Sequence, residues 1–570
     1  MDTAHYYVVA KNISHGDAKP DNVVWHYLGR PTSVERPAGD YWGAGWPYAL
    51  GFLMRWVGDS RIASFRICAA LSLFMPVLVF LLLQRLTSRW WLAAFGAVLV
   101  CLQTKLSQVM VTPDVSLSYE LTTTAGFVLL LGALKGHPSL MHFVPSAFVL
   151  TLPVWLRGDG FVPLLAATIG ILTAPWPWRQ RLRLVVGFAG VAGICLLPYV
   201  AYNIHFFGRI SPEARSLTPL MSDYKQLYEF VTQPSSASYW QLGLKGVAGL
   251  RVEATKIFAD FFIGQQVPYV LVLVATCGPV VRRIAFRRAA RRTSGRSIGV
   301  SNANFSAPLT AGATAVSQPD GGRAAGIVCL WSFTVLSALV PILIAPIVNN
   351  PSRFFTNTAP VLCVLAVWTM EPLLRCRWIV NLALLLVATT LLAYVGWPFH
   401  PLKPWATSWK RSWMDIPACL SPGNYPAMNA DDVVLTEMPC QLSAQLNVAS
   451  INMPQDDTMF RGSGSASMRA RFVHTAGLKG AVVSAESCRQ VIERYHPRFI
   501  LAIEGSNLEQ LVLRLRDLPL RTVAQGRNQD GRGYTWFTIG ETASSAPATS
   551  GSPDSARIDG HVTGPAKQPR

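Results

Sequence analysis

Asp2, Asp114, Arg157, Asp159 and Arg353 are the residues through which this 570-residue chain could do chemistry. Each stands where a polar connector meets an apolar run. Asp2 lies in DTAHYY, Asp114 in VTPDVS, Arg157 and Asp159 in WLRGDGF, and Arg353 in NNPSRFF. Any one of them alone reads as an interfacial charge that snorkels to water. Charged groups beside a membrane core are nevertheless costly to keep, and several on one side point to a shared site. A carboxylate there can act as general base toward a hydroxyl. Guanidinium groups can hold a phosphate with two parallel hydrogen bonds and stabilise it as it departs. Asp114 and Asp2 are therefore the candidate catalytic acids, and Arg157 and Arg353 the candidate phosphate ligands.

These residues are positioned by spans. The chain is 51% hydrophobic and only 14% charged, against about a quarter charged in a soluble domain. Apolar runs near the ~20 residues a bilayer requires lie at roughly 63–84, 90–111, 116–134, 140–156, 160–176, 184–204, 266–281, 325–347, 355–373 and 378–397. Arg85 and Arg89, Lys135, Arg179, Arg181 and Arg183, the 282–323 connector and Arg375 and Arg377 all fall on one side. The positive-inside rule makes that side cytoplasmic. It also accounts for the run VRRIAFRRAARR and for the net charge of +19, so nucleic acid is excluded as a partner. The opposite side receives residues 1–62, the turns at 112–115, 157–159 and 348–354, the 205–265 loop and everything after 398. Residues 1–62 carry no signal peptide, so an additional first helix is expected upstream of this chain. Carboxylates and arginines at an external lipid–water boundary suit transfer of a sugar from a polyprenyl phosphate, with apolar groove walls for the prenyl tail.

The same segments resemble a family. DTAHYYVVAKNISHG is similar to the acidic signature that opens the first external loop of GT-C fold glycosyltransferases, the relatives of protein O-mannosyltransferases and aminoarabinose–lipid A transferases. RPAGDYWGAGWPYALGFLMRWVGDS resembles the rest of that loop, LRGDGFVPLL its Arg-acid-Gly turn, PYVAYNIHFFGRISP its Pro/Asn/Phe-Gly segment, and SRFFTNTAPVLCVL the element before a late span. The resemblance implies an inverting transfer outside the cytoplasmic membrane from a lipid-phosphate-linked sugar, with Asp2 in the place of the catalytic acid. The second acid of the signature is Thr3 here, so Asp114, Asp40 or Glu35 would have to supply a second carboxylate. His5, Tyr6 and Lys11 of the signature, with Asp159 and Asp40, are supporting candidates. The cofactor requirement stays open between none and a divalent metal, Mg or Mn.

The expected fold is an all-α polytopic membrane protein of about ten spans with a small α/β extracytoplasmic unit. Its parts are the first external loop (1–62), the transmembrane region (63–397, with a basic cytoplasmic loop at 282–324), the α/β unit (398–541) and a disordered tail (542–570). In the α/β unit DVVLTEM, NVASINM, PRFILAI and YTWFTIG read as strands, and AESCRQVIERY and NLEQLVLRLRDL as helices. VVLTEMPCQLSAQLNVASINMP resembles the external C-terminal domain of many bacterial relatives. Cys419, Cys440 and Cys488 fall in this unit, with Cys419–Cys440 the simplest disulfide. The partners are a polyprenyl-phosphate-linked donor, membrane lipids, and a lipid-linked glycan, wall polymer or protein as acceptor. Two other readings compete. A non-catalytic flippase or transporter for a polyprenyl-linked glycan would carry ionisable residues near mid-span. A ligase of the O-antigen type would centre on a large late loop with Arg and His.

Overall fold

The computed structural model describes residues 2–264, 319–344, 352–371, 417–452 and 485–540, with short interruptions at 88, 102, 104–109, 137, 222–223, 229, 231–232, 430, 437, 505–507, 510–511, 513–514, 516–517 and 529–530. The expected spans at 266–281 and 378–397, most of the basic loop and the C-terminal tail lie outside these residues. The other eight expected spans fall on helices.

The chain opens with α1 (Asp2–His15) and a two-residue strand β1 (Val23–Val24), then α2 (Gly45–Val57). The apolar helices follow: α3 (Arg61–Ser72), α4 (Phe74–Leu86), α5 (Trp90–Cys101), α6 (Val115–Lys135), α7 (Leu140–Leu156), α8 (Val162–Leu172) and α9 (Trp178–Phe207). Short helices α10 (Glu213–Leu217) and α11 (Ser236–Gln241) lead to α12 (Gly243–Gly264), and α13 (Pro319–Ile344) and α14 (Ser352–Met370) complete the bundle. Four stretches, Arg61–Leu86, Val115–Lys135, Trp178–Phe207 and Gly321–Val340, are long and apolar enough to cross a membrane. At 30 residues α9 spans about 45 Å, more than a hydrocarbon core needs. Phe74, Val186, Ile194 and Leu197 stay exposed on these helices, as lipid-facing side chains must. The protein is a polytopic helical membrane protein. In α2, Trp46, Leu50 and Met54 are buried while Phe52 and Trp56 are exposed, the pattern of a helix lying at the membrane surface.

The bundle core is built from one face of each helix. Phe127 of α6 meets Phe333 of α13 edge-on, ring centroids 5.2 Å apart. Gly126 of α6 sits so close to Leu150 of α7 that a Cβ there would fall 2.4 Å from a Leu150 methyl carbon. Glycine permits this approach of two helices.

A six-stranded sheet stands at the end of the chain, in the order β1-β3-β2-β4-β6-β5. Its strands are β2 (Val433–Thr436), β3 (Ala449–Asn452), β4 (Phe499–Ile503), β5 (Leu520–Arg527) and β6 (Gly533–Ile539), with helices α15 (Pro439–Leu446) and α16 (Ala485–Tyr495) between them. β2, β3 and β4 run parallel, and β6 and β5 close the far edge antiparallel. The near edge is completed from the first loop. β1 pairs parallel with β3, Val23 opposite Ser450 and Val24 opposite Ile451. The Tyr27 hydroxyl donates to the Asn452 carbonyl, and Arg494 and Tyr495 of α16 donate to the Pro31 carbonyl at 3.2 and 2.7 Å. The acidic loop and the α/β unit thus share one sheet.

The Cys419–Cys440 disulfide is not formed. Both side chains are buried thiols, but Cys419 packs with Leu420, Val434 and Trp536 while Cys440 packs into the helical core.

Candidate functional site

The first loop folds around a buried ion cluster. Arg36 lies between two carboxylates, its Nη2 3.2 Å from Asp21 and its Nε 2.9 Å from Asp40. Two imidazoles flank them, His5 Nε2 3.7 Å from Asp21 and His26 Nε2 3.5 Å from Asp40. The Asp21–Arg36 backbone bridge and the Val23 N–H to Asp21 Oδ1 bond of 3.2 Å hold the turn. Aromatic rings wall the cluster. Trp25 and Trp42 stack at 4.0 Å, and His5 and Tyr6 meet Trp42 at 5.2 and 5.3 Å. Burial pushes the Asp21 carboxyl up, against the pull of Arg36. Burial acts the same way on Asp40, but Arg36 and His26 outweigh it and hold that carboxyl well below the ordinary range. The two carboxyls are thus pushed in opposite directions around one cation.

The second group lies where α6 begins and α7 ends. Asp114 is the N-cap of α6, its Oδ1 accepting from the Ser116 N–H at 2.9 Å, a favourable place for a carboxylate. Arg157 caps α7 and donates from Nε to Asp159 at 2.8 Å and from Nη2 at 3.4 Å. Its guanidinium stands 5.4 Å over the Tyr119 ring. Burial pulls Arg157 down, but Asp159 more than restores it and keeps it charged.

The two groups meet through the loop at 38–43. Gly43 packs on the last turn of α7, where a Cβ would lie 2.2 Å from the carbonyl oxygens of Trp155 and Leu156, so only glycine fits. Arg215 donates to the carbonyls of Tyr41 at 2.9 Å and Gly39 at 3.1 Å, and Tyr202 of α9 to that of Ala38 at 2.7 Å. Tyr6 lies within electrostatic reach of Arg157. Asp40, Trp42, Tyr6 and Arg157 therefore line one region at the end of the bundle.

The remaining candidates are placed as follows. Asp2 is the first residue of α1 and Arg353 the second of α14; their side chains lie outside the described ones. Lys11 is on α1 beside Asp59 and Arg61, apart from the cluster. Glu35 is exposed. Among the described residues no group of three or more His, Cys, Asp or Glu is arranged to hold a metal.

Sequence reasoning passed over Asp21, His26, Arg36 and Glu120. The first three have no spacing rule to betray them. Glu120 did carry a signal, as the lone acid inside the apolar α6.

No protein-family model matches the chain, and no curated protein does. Solved structures are similar to it. The oligosaccharyltransferase of Archaeoglobus fulgidus, crystallised in complex with Zn and sulfate, aligns over 88% of this chain at 14% identity and a TM-score of 0.47. This chain spans 63% of that protein's length. ArnT from Cupriavidus metallidurans in the apo state aligns over 94% of this chain and 93% of its own, at 11% identity and a TM-score of 0.36. The same protein bound to undecaprenyl phosphate aligns equally far, at 12% identity and a TM-score of 0.31. Both proteins are GT-C fold glycosyltransferases, the family that the sequence motifs resemble. With each of these three TM-scores below one half, the likeness carries no argument.

Proposed function

We propose that this protein is a membrane glycosyltransferase of GT-C type. It would move a sugar from a polyprenyl phosphate donor to an acceptor hydroxyl on the extracytoplasmic side, with inversion. The observation that carries the reading is the packing of the acidic, aromatic first loop onto the Arg157 turn. Carboxylates and a charged guanidinium are thereby gathered at one end of an apolar bundle.

In this reading Asp2 takes the proton of the acceptor hydroxyl as that oxygen attacks the anomeric carbon. The bond from that carbon to the phosphate oxygen breaks on the opposite face. Arg157 and Arg353 hold the departing phosphate, and Asp159 fixes the orientation of the Arg157 fork. Asp114 contributes a second carboxylate at the mouth of α6. The prenyl tail lies against the apolar helices. The α/β unit holds the first loop through β1 and faces the same external side, and the acceptor is a lipid-linked glycan, a wall polymer or a protein.

The test is mass spectrometry of glycolipids, wall polymers and envelope proteins from cells with the protein, without it, and with Asp2→Asn in its place. The reading expects one glycan species to vanish on deletion and to stay absent with Asp2→Asn, the variant being present in the membrane at normal level. An unchanged glycan profile on deletion would rule the transferase out.

A further inference from the structure

Inside α6, nearly two turns beyond the Asp114 cap, lies an acid that the mechanism above does not use. Ser116, Glu120 and Thr123 follow at i, i+4 and i+7 and so share one face of the helix. All three are buried, Glu120 at 1% exposure. The Ser116 hydroxyl, both Glu120 carboxyl oxygens and the Thr123 hydroxyl have no hydrogen-bond partner among the described residues. That face continues to Phe127, which meets Phe333 of α13, so the acid is set in the apolar interior of the bundle. α6 packs against α3, α4, α7, α8, α13 and α14. Among the described residues, the charged groups within electrostatic reach of Glu120 are Asp114 at its own cap and Arg157 at the end of α7.

An ionised carboxylate with no direct cation or donor is far costlier in such a setting than the neutral acid. Charge at Glu120 would also act on Arg157. As a neutral acid, Glu120 leaves Asp159 as the partner of Arg157, and the guanidinium retains its pull on an incoming anion. As an anion it would compete with that ligand.

We propose that Glu120 is a buried, neutral carboxylic acid whose proton is linked to phosphate binding at Arg157. Glu120 is a positioning residue: it touches no substrate and acts through Arg157. Binding of a phosphate favours the protonated form, and loss of the Glu120 proton weakens the phosphate. The linkage rests on the reading of Arg157 as a phosphate ligand; the protonated state of Glu120 does not.

The experiment has two arms on purified protein in nanodiscs, wild type and Glu120→Gln. The first is an infrared difference spectrum of the two proteins at neutral pH. It should show the carbonyl stretch of a protonated carboxylic acid in wild type alone; its absence, with the stretch of an ionised carboxylate in its place, overturns the proposal. The second is titration with a short polyprenyl phosphate lacking sugar, over a series of rising pH. Wild-type affinity should fall by about tenfold as Glu120 ionises, while Glu120→Gln, which cannot ionise, should lack this fall. A merely structural role for Glu120 predicts superimposable pH profiles, and that result overturns the linkage. If wild type binds no polyprenyl phosphate at any pH, the linkage falls together with the phosphate reading of Arg157, whereas an infrared band would still identify the neutral acid.

Discussion

Asp114 caps α6, and the proposed reaction gives it a second role that substitution can separate from the first. As the N-cap of α6 it supplies an acceptor to the Ser116 N–H, and asparagine can do the same. Asp114→Asn should leave thermal stability nearly unchanged, while Asp114→Ala should lose about 1 kcal/mol. If the carboxylate also serves the reaction, both variants lose transfer activity by the ~10²–10⁴-fold expected of a general base or its close partner. Full activity in a stable Asp114→Asn protein would reduce Asp114 to a helix cap. Asp21 gives a pH signature. Its carboxyl is raised to about 7 in the folded protein, above the ~3.9 of an unfolded chain. A raised acid is fully accommodated below pH ~4 and becomes a growing cost as pH rises toward 7, at up to ~1.4 kcal/mol per pH unit. Asp21→Asn lacks that cost. Melting temperatures should therefore show the variant gaining on wild type from pH 4 to pH 7; a constant difference would mean Asp21 is ionised throughout. The residues flanking spans could be found from charge beside apolar runs. Asp21 and Arg36 could not, because their meeting depends on a turn and on aromatic packing that no local spacing encodes.

The elements divide along the same line. Eight of the expected spans fall on described helices because apolar length and flanking arginines are properties of a single segment. The edge strand β1 escaped notice because two residues, Val23 and Val24, leave no period to read, and their partner β3 lies at the other end of the chain. The contact of the 38–43 loop with α7 was equally hidden, since a glycine in a Gly-rich loop does not announce a close approach. Gly43→Ala tests that contact. A methyl group 2.2 Å from two carbonyl oxygens must push the loop off the Arg157 turn. Overpacking of this kind costs ~1–3 kcal/mol, a local loss that leaves the bundle folded. Transfer activity should fall at least tenfold while expression and detergent-solubilised size remain normal. Wild-type activity in Gly43→Ala would mean that the loop and the turn work independently.

At the scale of the whole molecule, the proposed reaction depends on the orientation that the positive-inside rule predicts. Arg179 is exposed at the start of α9 and Thr522 is exposed on β5, and the orientation proposed from the positive-inside rule would put them on opposite sides of the membrane. In a background without native cysteines, an impermeant thiol reagent applied to cells with outer-layer access should label Thr522→Cys and leave Arg179→Cys untouched until the membrane is opened. Ser443, though in the same unit, is unsuitable for such labelling: it is buried and its hydroxyl donates to Asn22 at 2.9 Å. The reverse labelling pattern would turn the acidic loop and the Arg157 turn toward the cytoplasm and remove the basis of the proposed reaction.

Sugar transfer by the purified protein tests the proposed reaction most directly. Reconstituted in nanodiscs with a polyprenyl phosphate carrying a labelled sugar and an envelope fraction as acceptor, wild type should release the polyprenyl phosphate and pass the label to the acceptor with inverted anomeric configuration. Asp2→Asn, equally folded, should do neither at more than ~1% of that rate. Label transferred at the wild-type rate by Asp2→Asn, or a donor left intact by wild type across a panel of polyprenyl-linked sugars, would contradict it.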